Sequence, residues 1–377
     1  MTWFIFLLLL AITAYIMVGY PVLLAWRASR NPQPIRKSLE HQPAASVLLA
    51  VHNGGAFLAA KLDSLLASNY PSDRLEIIVA SDGSTDDTEE IAKRYESRGV
   101  QLLRLPRGGK PAALNAAAAR ASHPILLFTD VRQTFTPLSV AHLLACFADP
   151  HVGCVSGYLE IRSGSAEEDN VGLYWRYERW IRANLSAVDS LLGATGAFYA
   201  MRREYFRPMP PNLLLDDMFL PLGAFFQNQR LVLEPQAIIY DIPTNVSSEF
   251  RRKVRTLAGN FQIIGHFPQL FSPSANRMWW HFLSYKFGRL LLPWLFLGIL
   301  ISSFFLPFPW WAVTVIPQVA FYVLALLDSV IPAGMALKRL SSPARTVTSM
   351  LTATACAISI LFLPAERLWK PAPPRQT

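Results

Sequence analysis

Carboxylates end apolar runs at three places in this chain, and a carboxylate so placed serves either chemistry or capping. The run Leu75-Glu76-Ile77-Ile78-Val79-Ala80 ends at Ser81-Asp82-Gly83-Ser84-Thr85-Asp86. The run Pro124-Ile125-Leu126-Leu127-Phe128-Thr129 ends at Asp130-Val131-Arg132, and Leu213-Leu214-Leu215 ends at Asp216-Asp217. Asp82 can accept hydrogen bonds from a nucleobase or ribose; a turn aspartate can equally bond its own backbone. A lone carboxylate leaving a buried strand, as Asp130 does, is costly unless paired or bound to metal. Beside a diphosphate, Mg2+ or Mn2+ is its natural counter-ion, because both take hard oxygen ligands; the other use is a helix cap. Asp216 and Asp217 are adjacent like charges, which suits a base, or else an N-cap and a first-turn charge.

Two basic groups complement these acids. Lys110, in Arg107-Gly108-Gly109-Lys110-Pro111, can neutralise phosphate or simply face solvent. Four of the five residues from Arg251 to Arg255 are basic. Arg252 and Arg255 can bind diphosphate through bidentate contacts, or the cluster can anchor the chain on an anionic membrane face.

The elements that position these groups follow from the apolar runs. Ser46 to Val51 is a strand that ends at His52-Asn53-Gly54-Gly55, where glycine lets backbone approach a ligand closely. Strands over 75–80 and 124–129 follow, with helix-length segments at 57–66, at 86–98 and at 112–121. Short Leu-rich or β-branched runs alternating with helices predict an α/β fold whose mostly parallel sheet is buried on both faces. In such sheets ligands bind beyond the carboxyl ends of the strands. Further strands are predicted at 100–105, 152–161, 197–201, 230–233 and 237–240. A helix is predicted over 137–147, and a long one opens at Glu167-Glu168-Asp169.

The 377 residues suffice for one large core or two domains. The chain is 52% hydrophobic with mean hydropathy +0.27, and the excess lies at its two ends. A net charge of +9 suits anionic lipid heads or anionic substrates such as nucleotide sugars. Nucleic acid is the competing reading of that charge, but no zinc-finger spacing or basic helix run supports it, and no nucleic-acid partner is expected. Cys146, Cys154 and Cys356 fit neither a disulfide framework nor a zinc site.

Trp3 to Trp26 carries no charge and is long enough to cross a bilayer; without a basic leader or cleavage site it is no ordinary signal peptide. Arg27, Arg30, Arg36 and Lys37 follow it, which by the positive-inside rule puts the next domain in the cytoplasm. Further apolar stretches run over 290–306, 310–331 and 347–363, with Lys338, Arg339 and Arg345 in the last link. Four crossings with both termini outside are consistent, against which Arg367, Lys370 and Arg375 in the tail would face outward. Asp328 is either a polar group inside the bundle or one at the membrane interface. Residues 274–289 mix aromatic and basic side chains and read as an interfacial helix.

In this order the motifs resemble those of membrane-bound inverting family 2 glycosyltransferases, over roughly 45–265. Val51-His52-Asn53 resembles the first strand and nucleotide-binding turn, with Gly54 where an acid often stands. Asp82 resembles the base-binding aspartate, and Gly109-Lys110-Pro111-Ala112-Ala113-Leu114-Asn115 the segment before the metal strand. Asp130-Val131-Arg132 resembles the Asp-x-Asp motif with Arg132 in place of the second acid. Gly193-Ala194-Thr195-Gly196-Ala197 resembles the loop that lines the acceptor site, and Asp217 matches the general base. Arg252-Lys253-Val254-Arg255-Thr256 falls where processive synthases carry Gln-x-x-Arg-Trp, retaining only its Arg.

The resemblance implies a Rossmann-like mixed sheet of GT-A type over 44–265, facing the cytoplasm. It is held by a transmembrane helix at 1–28, the interfacial helix at 274–289 and about three helices over 290–365. The implied reaction is inverting transfer from a nucleotide sugar, UDP before GDP, to a lipid-linked or membrane glycan acceptor at the inner (plasma) membrane. Asp217 is then the catalytic base, Asp130 the metal ligand for Mg2+ or Mn2+, and Asn53, Asp82, Lys110, Asp130, Thr195, Asp216, Arg252 and Arg255 the substrate-binding set. Membrane lipids are expected partners, with room for an oligomer or accessory subunit. A processive polysaccharide synthase with coupled membrane translocation and a non-catalytic membrane scaffold that binds nucleotide or a partner protein are the alternatives.

Overall fold

The computed structural model describes residues 2–161, 169–241, 246–332 and 334–364. Glu167 and Glu168, expected to open a helix, and Arg367, Lys370 and Arg375 of the tail lie outside the described residues. The chain divides into a sheet unit, residues 31–163 and 185–243, and a helical unit, residues 1–30, 164–184 and 244–377.

Among the described residues, the sheet unit is built on eight strands: β1 Ala45–Val51, β2 Leu75–Asp82, β3 Val100–Leu105, β4 Ile125–Thr129, β5 Thr134–Phe135, β6 Val152–Ile161, β7 Phe198–Arg202 and β8 Arg230–Asp241. Their order is β3-β2-β1-β4-β7-β6-β8-β5. β1 pairs in parallel with β2 and with β4, and β2 with β3. β7 pairs antiparallel with both β4 and β6, so the sheet is mixed. The parallel half follows from composition: Val47, Leu48, Leu49, Leu126 and Leu127 are wholly buried, because helices cover both faces. The Gly55–Leu66 helix turns Leu58, Leu62 and Leu65 into the core at helical spacing. Order reverses between β1 and β4, which makes a crevice beyond their carboxyl ends the natural ligand position. His52 and Asp130 stand there, one on each side.

Two local readings are corrected. β2 runs on through Asp82, paired with Leu105, rather than ending before it. The segments 230–233 and 237–240 are one strand, β8, whose pairing with β6 is irregular between Leu233 and Ile238. Pro235 lies in the irregularity; having no N–H to donate, it interrupts the ladder and not the strand.

Among the described residues, the helical unit contains four helices long and apolar enough to cross a membrane: Thr2–Arg30, Trp279–Ser303, Trp310–Val330 and Lys338–Leu361. Large apolar side chains face outward on them, including Phe4 at 69% exposure and Leu326 at 76%. Three departures from the sequence reading appear. The residues read as a separate interfacial helix over 274–289 enter one continuous helix from Trp279. Its polar side chains point to neighbouring helices: Ser284 Oγ lies 2.8 Å from Tyr15 Oη, and His281 Nδ1 3.1 Å from Tyr20 Oη. Arg289 donates to Glu178 at 2.7 Å, and Tyr285 donates to the same carboxylate. Burial raises the Glu178 pKa, but Arg289 and Tyr285 outweigh it and hold the carboxyl at about 2.

The last helix begins early enough to contain Lys338, Arg339 and Arg345, which the sequence places in a link. Asp328, 2% exposed, is the reason Lys338 and Arg345 are accommodated. Its carboxylate accepts from Ser341 at 2.6 Å and Ser342 at 3.2 Å, and pairs with Lys338 and Arg345, each at 3.1 Å. Finally, Arg252 and Arg255 sit on the Val246–His266 helix, which packs along the last helix in the helical unit, so the sheet unit ends before residue 265.

Candidate active site

The turn after β1 is welded to the turn after β2. Asn53 takes a left-handed backbone (φ 50°), and its Oδ1 accepts the Thr85 N–H at 2.8 Å. Gly54 N–H donates to Thr88 Oγ1 at 2.9 Å and Gly55 N–H to Asp86 Oδ2 at 3.0 Å. A Cβ on Gly55 would lie 1.7 Å from Asp87 Oδ1, so the close approach of the two turns needs glycine. Burial raises the Asp86 pKa, yet the hydrogen bonds from Thr88 and Gly55 bring it below its usual value. The Asn53 side chain thus shapes the turn beside the crevice.

Asp82 is 3% exposed at the end of β2. Its carboxylate accepts the N–H groups of Gly108 at 2.6 Å and Gly109 at 3.0 Å, and pairs with the Arg107 guanidinium. Asp82 therefore organises the 107–109 loop as well as lining the site. Arg107, read only as part of a basic loop, is its charge partner.

That loop delivers Lys110 to the first turn of the Lys110–Arg120 helix. The Lys110 ammonium bonds Asp130 Oδ1 at 2.9 Å and Asp216 Oδ1 at 3.0 Å. Burial lowers the Lys110 pKa, but the two carboxylates more than reverse this, and the side chain stays charged. Asp216 Oδ2 accepts from Tyr199 Oη at 2.9 Å, and Tyr199 stacks on Phe128 with ring centroids 4.6 Å apart. Burial, then Asp216 and Asp217, push the Tyr199 hydroxyl well up, so it remains a donor. Three distant segments thus meet at one ammonium, with Tyr199 behind Asp216, and Tyr199 is a site residue that sequence reading missed. An aromatic inside an apolar strand gives no local sign that its hydroxyl faces a site.

Asp216 and Asp217 open the Asp216–Phe225 helix, where the free N–H groups favour negative charge. Asp216 is buried toward Lys110, while Asp217 is half-buried and turns to the 193–197 loop. The Ala194 N–H donates to the Asp217 carbonyl at 2.7 Å. A Cβ on Gly196 would stand 2.8 Å from Asp217 Oδ2, so this loop is glycine where it meets the carboxylate. Thr195 is fixed by its N–H, which donates to Ser156 Oγ at 2.9 Å. Asn115, at the end of the predicted Gly-Lys segment, clamps the Met209 backbone with two bonds of 2.9 Å.

Arg132, in place of the second acid, pairs with Asp241 at the end of β8, and Gln133 Nε2 donates to the same carboxylate at 3.0 Å. Asp241 was not legible because its partner lies 109 residues away. Asp130 is 41% exposed at its side chain. Among the described residues, no group of three His, Cys, Asp or Glu side chains is placed to hold a metal ion. Asp130 fits as one oxygen ligand of an ion completed by phosphate and water, which is the usual way Mg2+ is held beside a nucleotide. Within the sheet unit, Asn53, Asp82, Lys110, Asp130, Thr195, Asp216 and Asp217 lie at the strand ends or the loops packed there. Arg252 and Arg255 belong to the helical unit.

Residues 46–209 match the family model Glycosyl transferase family 2. The protein described as "Probable glycosyltransferase YdaM" from Bacillus subtilis strain 168 is 23% identical over 295 residues, 73% of this chain and 68% of that one. The poly-beta-1,6-N-acetyl-D-glucosamine synthase of Staphylococcus epidermidis is 23% identical over 249 residues, 62% of this chain and 60% of the synthase. In three dimensions the chain is similar to the mannosyltransferase PcManGT from Pyrobaculum calidifontis, solved with GDP-Man and Mn2+. The TM-score is 0.71 at 20% identity, covering 95% of this chain and 99% of that one, a likeness of fold. The sheet unit has the GT-A fold, and the protein is a glycosyltransferase whose residues 46–209 are similar to the family 2 model.

Proposed function

We propose that this glycosyltransferase is an integral membrane enzyme that transfers a sugar, with inversion, from a nucleotide-sugar donor to a lipid-linked or membrane glycan acceptor. The observation that carries the reading is the meeting of Lys110, Asp130 and Asp216 at one point, with Asp217 next in the chain and turned to the 193–197 loop. In this reading Asp82 and the Asn53 turn hold the nucleoside, and the diphosphate lies along Lys110 and Asp130. Asp217 accepts the proton of an acceptor hydroxyl as that oxygen attacks the anomeric carbon. The bond from that carbon to the diphosphate oxygen breaks, and its electron pair leaves with the nucleoside diphosphate. The Lys110 ammonium stabilises the charge that develops there. A bound Mg2+ or Mn2+, with Asp130 as its protein ligand, supplies further neutralisation of the diphosphate. One enzyme carboxylate suffices for such a displacement, whereas a hydrolytic glycosidase needs two facing acids.

The four apolar helices and the basic residues after the first of them support anchoring with the sheet unit in the cytoplasm. A processive polymer synthase is the second reading, favoured by the likeness to the poly-beta-1,6-N-acetyl-D-glucosamine synthase. The test is turnover by detergent-purified full chain on a panel of UDP- and GDP-sugars with membrane lipid extract and Mn2+ or Mg2+. Wild type should release nucleotide and form product, and Asp217→Asn should lose about a thousandfold in rate while still folded. A single added sugar on lipid supports the first reading, and a long product on one donor supports the second. Equal rates for wild type and Asp217→Asn would refute Asp217 as the base.

A further inference from the structure

Lys61 is an ionisable side chain that nothing in the reaction uses, yet it is wholly buried, at 0% exposure. It lies on the Gly55–Leu66 helix among Leu58, Leu62 and Leu65, on the face that packs into the sheet core. An apolar residue there would avoid the desolvation of an ammonium, so the charge calls for a reason. Its Nζ donates to Thr129 Oγ1 at 2.6 Å and to the Gln133 carbonyl at 2.8 Å, and the Phe135 ring centroid lies 4.1 Å away. Two acceptors and a π face account for the three N–H directions of the ammonium.

The two acceptors are not arbitrary. Thr129 is the last residue of β4 and Gln133 the last before β5, so they bracket Asp130-Val131-Arg132. One ammonium therefore ties both ends of the turn that carries Asp130 and Arg132. Thr129 Oγ1 passes the connection on, donating to the Ala197 carbonyl at 2.9 Å in the loop beside Asp217. Arg132 and Gln133 are held from the other side by Asp241; burial lowers the Lys61 pKa well below its usual value, and Asp130 and then Asp241 oppose that shift.

We infer that Lys61 is a positioning residue that staples the 130–132 turn from beneath and so fixes where Asp130 and Arg132 meet a donor diphosphate. This rests on the reading of Asp130 as a diphosphate and metal-ion residue. The staple itself rests on geometry alone, and the two are tested separately. In the full chain in detergent, Lys61→Met should raise amide hydrogen exchange over residues 130–135 while β1 and β2 exchange as in wild type. It should also weaken binding of the nucleoside diphosphate with Mn2+ by about 10- to 100-fold, with binding of the parent nucleoside, UDP against uridine or GDP against guanosine, unchanged. A residue serving only the core would move both affinities or neither. Thr129→Val keeps the side-chain shape and all charges but removes one leg of the staple. It should show the same pattern, and it carries the test if Lys61→Met does not fold. Unchanged exchange over 130–135 in a folded variant overturns the staple. Raised exchange with unchanged diphosphate affinity overturns its role toward the donor. An Asp130→Asn protein that binds the diphosphate as wild type would instead refute the reading of Asp130.

Discussion

Gly196→Ala is the sharpest probe of where Asp217 must be. Gly196 does not have a left-handed backbone, so alanine adds no conformational strain there. The new Cβ would lie 2.8 Å from Asp217 Oδ2, 3.3 Å from its Cγ and 3.5 Å from its Cβ. A carbon and a carboxylate oxygen do not approach below about 3 Å without overlap, so the carboxylate must shift or rotate. Asp217 is half-buried and can turn, so the fold should survive with little change in melting temperature. The chemistry should not, because a misplacement approaching 1 Å costs about a hundredfold in a positioned reaction. The assay is initial-rate nucleotide release at varied donor and acceptor. The expected result is a lower kcat with donor KM unchanged, since the donor contacts lie on Asp82 and Lys110. Gly223→Ala is the control: its Cβ meets only Arg207 Cδ at 4.0 Å, and alanine favours the helix it stands in. If Gly196→Ala turns over within about twofold of wild type, the position of the Asp217 carboxylate does not limit the reaction and its role as base is refuted.

Three other outcomes follow from the same geometry. Lys110→Met leaves Asp130 and Asp216 facing each other without their shared cation; it should lower unfolding stability by about 1–3 kcal/mol and abolish turnover, measured by chemical denaturation and by rate. Gly157→Ala puts a Cβ 2.2 Å from Phe198 Cδ1 in the core, and overpacking of this kind costs about 1–3 kcal/mol, read as a fall in melting temperature. Glu178 has a folded pKa of about 2 against an ordinary 4.5, so its contribution to stability is full above 4.5 and is lost as pH falls toward 2. Glu178→Gln should therefore flatten the acid limb of a denaturation profile between those pH values, and an unchanged limb would remove Glu178 as its cause.

Much of the sheet unit could be read locally. The runs 46–51, 75–80 and 124–129 are apolar but for Ser46, Glu76 and Thr129 because their strands are covered on both faces, and the turns after the first two carry Gly because backbone must approach backbone there. Asp82, Asp130 and the 216–217 pair could be singled out because each follows an apolar run that has no other use for it, and Lys110 because it stands in a Gly-rich basic loop. The long apolar helices were legible for the same reason, but their polar residues were not: whether Asp328 served a path, an interface or a neighbouring helix depended on Ser341, Lys338 and Arg345 being brought to it.

What the sequence determined by itself is the parallel half of the sheet, the acids at its carboxyl edge and four stretches with the length and apolarity of spanning helices. These properties reside in residue types at short spacing. Only the tertiary structure decided which charges meet. Lys110 joins Asp130 and Asp216, Arg132 turns to Asp241, Tyr199 reaches Asp216, and Lys61 lies beneath the turn at 130–132. Each of these contacts closes a loop of 17 to 109 residues. A charge carries no local mark of its partner over such a distance; the pairing is fixed by strand order and by the cost of leaving a buried charge alone.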